Sequence, residues 1–274
     1  VVRQSAAPSG FTPYQEQIFK LTGAGGYGYM QSLVCLIPII VYYIKFPKQF
    51  IVSKKILLII IFFILITLIR AQVFANILVA IIITILAFTS TKYSRRSLIT
   101  ISFIFIVLLV IPPSTYSNLF SSVSSFFDPD SHIYYKLNDF SIFIEDPELD
   151  NTTGAGGRAQ RYPLLLEAFL TNPLTGYSSY KSTLDIGAGG HLYWMNRMTQ
   201  WGILGFLFFI HVLFRIYKSV RSLFDDGFGF YYFLSVLAFV FMGVIKSVGG
   251  RETFFILILV VPGLYYLPLL RKES

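Results

Sequence analysis

Long apolar runs set the first limit on what this chain can fold into. Between Ile56 and Ile69 the only polar side chain is Thr67, and comparable runs recur as FANILVAIIITILAF, FGFYYFLSVLAFVFMGVI and FFILILVVPGLYYLPLL. A helix that crosses a bilayer needs about 20 mostly apolar residues. Candidate spans lie near 27–46, 51–69, 73–90, 97–113, 200–217, 228–246 and 253–270. The second has the shortest clean run and borrows Phe50 to Lys55, its lysines snorkelling to the surface. Composition agrees: 55% of the 274 residues are hydrophobic and 13% charged, against roughly 25% charged in soluble domains. The expected fold is therefore all-α, a polytopic membrane protein of about seven transmembrane helices. An opening of VVRQ, with neither Met nor a signal-peptide layout, leads us to expect a C-terminal fragment of a longer protein.

Basic residues orient the spans, because short cytoplasmic loops collect Lys and Arg. Lys45, Lys48, Lys54 and Lys55 flank the first hairpin, Lys92, Arg95 and Arg96 the second, and Arg215, Lys218 and Arg221 the third, while Arg271 and Lys272 end the chain. All fall on one side if seven spans alternate. The formal charge of +8 is thus read as a topology signal, and no nucleic-acid partner is expected. The organisation that follows is an extracytoplasmic segment 1–26, four spans over 27–113, a large extracytoplasmic loop 114–199, and three spans with a cytoplasmic C-terminus over 200–274. Cys35, the one cysteine, lies in an apolar run, which excludes a disulfide framework.

The large loop divides by composition. Residues 114–150 are rich in Ser, Phe and acids and read as an amphipathic or partly irregular cover. In GRAQRYPLLLEAFLTNPLTG, Pro163 suits the first turn of a short helix near 162–172, with Leu164, Leu165, Ala168 and Phe169 on its apolar face and a stop at Asn172–Pro173. Gly176 then makes a turn.

Several residues have more chemistry than a membrane loop needs. GAGG occurs three times, before Tyr27, Arg158 and His191. His132 lies in the less organised part of the loop, and His211 sits mid-span, where packing inside a helix bundle is the default. His191 stands at the extracytoplasmic membrane edge, where an imidazole near its ordinary pKa can accept a proton. A single histidine is more often structural, and position is what favours this one. Arg158 and Arg161 precede or open the short helix, so their guanidinium groups and its N-terminal N–H groups suit an anion; lipid head groups would satisfy the same pair. Arg70, between two apolar runs, is costly unless paired or functional. No P-loop, GxSxG or HExxH is present, and the one DxD spacing, Asp128-Pro129-Asp130, is in the less organised part of the loop. A reaction without metal or cofactor is expected.

Together these stretches resemble the O-antigen polymerase and O-antigen ligase superfamily. GGRAQRYPLLLEAFLTNPLTGYSS followed by HLYWMNRMTQWGILGFLFF is similar to that family's extracytoplasmic signature: a loop arginine, a helix ending in Asn-Pro-Leu-x-Gly, then a histidine before a Gly-x-x-Gly at the head of the next span. Arg158 stands 18 residues before Gly176, and His191 precedes Gly202 and Gly205. ITLIRAQVFA likewise resembles the family's Thr-Leu-Ser-Arg stretch. Two positions depart from the pattern: Leu192 follows the histidine where a polar residue is usual, and Tyr162 stands where Trp or Leu is common.

The resemblance implies an inverting, metal-independent glycosyltransferase of the bacterial inner membrane, with its active site on the periplasmic side. It would take a glycan from undecaprenyl pyrophosphate and pass it to another lipid-linked repeat, as a polymerase, or to lipid A core, as a ligase. His191 would be the catalytic base; Arg70 and Arg158, with Arg161 as second choice, would bind pyrophosphate. The departures lean toward a polymerase. Expected partners are lipid-linked glycan donor and acceptor, the bilayer, and a chain-length regulator and flippase of the same pathway. A transporter of an anionic lipid, in which the arginines guide and His191 is dispensable, and a purely structural membrane fragment are the readings from other classes. Gly202 and Gly205 are expected to let the fifth span pack closely on a neighbour.

Overall fold

A computed structural model describes residues 27–47, 52–71, 74–89, 112–129, 132–145, 161–177, 192–245, 248 and 251–270. The described residues form helices and turns, with no strand among them. The helices are α1 (Tyr27–Lys45), α2 (Lys54–Ala71), α3 (Phe74–Thr89), α4 (Pro113–Ser124), α5 (His132–Glu145), α6 (Arg161–Thr171), α7 (Tyr193–Arg221), α8 (Asp226–Ile245), α9 (Arg251–Phe255) and, after a π-helical turn at Ile256–Val260, α10 (Val261–Leu270). Gly28–Lys45, Tyr193–Arg221 and Asp226–Ile245 are long and apolar enough to cross a membrane, and Ala75–Thr89 and Glu252–Pro268 are shorter apolar helices. The chain therefore has the make-up of a helical membrane protein. Of the candidate fourth span near 97–113, all but the last two residues lie outside the described set; Pro112 and Pro113 open α4 instead.

The chain divides into two compact units, one of residues 1–101, 214–243 and 248–274, the other of 102–213 and 244–247. In the first, α1 is buried on every face, with Met30, Val34, Cys35, Ile37, Ile39 and Val41 inside, as expected of a helix apolar all round. Its C-terminal end is tied down by polar tips on apolar bodies. Lys45 donates to Ala87 O at 2.9 Å and Tyr43 to Leu264 O at 2.8 Å. Around them Tyr42 meets Phe228 edge-on at 5.0 Å and Phe224 meets Tyr265 at 5.2 Å; such pairs add about 0.5–1.5 kcal/mol beyond area burial. Asp225 caps α8, its Oδ1 accepting from Phe228 N at 2.7 Å. By contrast α2 turns Leu58, Ile59, Phe62 and Phe63 outward, a surface suited to lipid rather than water.

In the second unit, α4 and α5 form a helical hairpin within the stretch that the sequence reads as an amphipathic or partly irregular cover. Pro113 sits in the first turn of α4, where its missing N–H costs nothing. Small side chains let the two helices approach: Ser117 and Ser141 are buried and their hydroxyls lie 2.9 Å apart. Phe120 and Phe140 meet edge-on at 4.9 Å.

Candidate functional site

The site in the second unit is built where the turn after α6 meets a break in α7. Leu165 and Ala168 form the buried side of α6, while Leu164, expected on the same face, is exposed. Leu165 packs with Leu192 and Met195 at the start of α7. Thr199, fully buried, donates its hydroxyl to Leu165 O at 3.0 Å and fixes the two helices to one another.

Three residues further on, Gly202 leaves helical conformation, with φ 62° and ψ −175°. A break of this kind strips the next N–H groups of their i−4 acceptors, and buried backbone groups need replacements. The Asn172–Gly176 turn supplies them. Ile203 N donates to Pro173 O at 2.7 Å and Leu204 N to Leu174 O at 3.3 Å, and the freed Thr199 O accepts from Tyr177 N at 3.1 Å. Gly176 itself has φ 66°. A Cβ on Gly176 would overlap Gly202 N, and a Cβ on Gly202 would overlap Leu174 O. Both glycines are thus demanded twice, by a left-handed φ and by backbone contact. Gly202 therefore seats a loop turn, a correction to the expectation that it packs against a neighbouring span. Gly205 faces Trp201 of its own helix.

Of the site residues expected from sequence, Arg161 is half-buried in the first turn of α6. Arg158 and His191 lie outside the described residues; His191 immediately precedes buried Leu192. Arg70 belongs to the last turn of α2 in the first unit, and its side chain is outside the described set. His211 is exposed on α7, which differs from the expectation of a side chain packed in a bundle.

Two further residues belong to this unit's site. Arg197 lies 5.3 Å from the Tyr193 ring and 4.7 Å from the Trp201 ring, and donates to Gln200 Oε1 at 3.1 Å. The spacing 193, 197, 201 puts all three on one helix face, a signal visible in the sequence. Tyr162 donates its hydroxyl to Val244 O, and burial pushes its phenol above the ordinary range, so it remains a donor at neutral pH. Tyr162 thus has a structural task. Among the described residues no three His, Cys, Asp or Glu side chains come together as a metal site.

Chemically, the arrangement presents the basic N-terminal end of α6 and an aromatic-stacked guanidinium at the head of α7, on a backbone held by reciprocal hydrogen bonds. No family model, curated protein or solved structure matches this chain.

Proposed function

We propose that the protein is an integral membrane glycosyltransferase that polymerises undecaprenyl-pyrophosphate-linked repeats into O-antigen or a related surface polysaccharide. On this reading seven spans cross the bacterial inner membrane and the α6–α7 site lies on the periplasmic side. The observation that supports it is the seating of the Asn172–Gly176 turn in the Gly202 break of α7. Two of the stretches that carry the resemblance, 156–179 and 191–209, are separated by eleven residues, and their described parts form one structural piece.

In the proposed reaction an acceptor hydroxyl attacks the anomeric carbon of the lipid-linked glycan. The new C–O bond forms as the bond to the phosphate oxygen breaks, and inversion follows from the opposed approach. His191 takes the hydroxyl proton, and the pyrophosphate leaves with its charge balanced by Arg70 and by Arg158 or Arg161. General-base assistance of this type is worth about 10²–10⁴-fold.

Replacing His191, Arg70, Arg158 and Arg161 one at a time in the full-length protein, then examining surface polysaccharide and lipid-linked intermediates, tests the reading. Single unpolymerised repeats on the surface are expected for His191→Ala. Long chains left unattached would identify a ligase, and normal polymer would remove His191 from the chemistry.

A further inference from the structure

In the first unit a cleft of about 610 Å³ runs between the N-terminal half of α1 and the start of the last helix, lined by Tyr29, Ser32, Leu33, Leu36, Glu252, Phe255 and Ile256. Its volume is that of a small-molecule site. Leu33, Leu36, Phe255 and Ile256 make it apolar along its length, in a segment of α1 suited to the bilayer. The π-helical turn begins at Ile256, where Val261 N bonds back to Ile256 O. Pro262, one residue on, has no N–H to offer, and the wider turn sets Ile256 at the cleft wall. π-turns of this sort recur at functional positions.

One charge marks the head of the cleft. Glu252 is exposed and reaches α1 so closely that a Cβ on Gly28 would overlap its Oε2. Among the described residues it has neither an ion-pair nor a hydrogen-bond partner. An apolar furrow along a spanning helix is filled in a bilayer by an alkyl chain, and a carboxylate at its head selects the charge of the group above that chain.

We propose that this cleft holds the headgroup and part of one acyl chain of a phospholipid with a primary ammonium headgroup, as in phosphatidylethanolamine. That acyl chain lies along Leu33, Leu36 and Ile256, the second staying in the bilayer, and the ammonium donates to Glu252 in a charge-assisted hydrogen bond. The N–H groups in the first turn of α1, which have no acceptor within the helix, suit its phosphodiester. A polyanionic head such as a pyrophosphate would set like charges against Glu252 and is disfavoured here. The inference does not depend on the glycosyltransferase reading.

Native mass spectrometry of the full-length protein with added phosphatidylethanolamine or phosphatidylglycerol tests it. Phosphatidylethanolamine should be retained about tenfold better, the scale of one hydrogen bond to a charged group. Glu252→Gln, nearly isosteric, should reduce the two lipids to parity, and Leu36→Trp, which fills the cleft, should weaken retention of both. Equal retention of both lipids by the unaltered protein, a preference that survives Glu252→Gln, or displacement of the bound lipid by undecaprenyl pyrophosphate would overturn the proposal.

Discussion

Gly202 meets two demands at once, a left-handed backbone and the approach of Leu174 O, and only a residue without Cβ satisfies both. Gly202→Ala is therefore expected to lower stability by at least about 1–3 kcal/mol, the usual cost of forced backbone strain, with the overlap added to it. Gly263 is the natural control: a Cβ there meets nothing within 4 Å, so Gly263→Ala should be neutral or stabilising by up to about 1 kcal/mol. Thermal unfolding in detergent distinguishes the two. Arg197 offers a comparison of charge with shape, since its guanidinium lies against Tyr193 and Trp201. Arg197→Ala should cost about 1 kcal/mol, and Arg197→Lys should recover less than half of that, because an ammonium keeps the charge but loses the planar stack; chemical denaturation checks the order. Much of this was visible in the letters. Gly176, Gly202 and the 193–197–201 spacing can be read from the sequence, but the break at Gly202 cannot, because the carbonyls that make it tolerable come from Pro173 and Leu174 on another element.

Between elements, the site depends on how α6 is held to α7. Thr199 is a buried side chain that joins them by a hydrogen bond to Leu165 O. Thr199→Val keeps the shape and removes the donor, which should cost about 1 kcal/mol and speed proteolytic cleavage within 161–177 by about fivefold if cleavage follows local opening. Unchanged cleavage would show that the turn's backbone bonds suffice. In the first unit Asp225→Ala removes the cap of α8 and is expected to cost about 0.5–2 kcal/mol, seen as a lower unfolding midpoint. Apolar helices were legible because their composition leaves few other solutions, as in α1 and α8. The α4–α5 hairpin was not, because serine is a weak helix former whose hydroxyl competes for backbone groups, and its use here as a close-packing residue depends on the partner helix. Leu164 was misassigned for a similar reason: α6 buries a narrow stripe of Leu165 and Ala168, and an apolar neighbour on the exposed side looks the same in sequence.

For the whole molecule, the helical class follows from hydropathy, while the proposed reaction rests on a resemblance, two of whose three stretches meet at the Gly202 break. The most direct test is transfer by the full-length protein in proteoliposomes supplied with a lipid-linked repeat and no added metal, with chelator present. Polymer should form with the unaltered protein and fall by about 10²–10⁴-fold with His191→Ala, while the variant still reaches the membrane in normal amount. Polymer formed at the unaltered rate by His191→Ala, or no transfer by the unaltered protein under these conditions, would contradict the account.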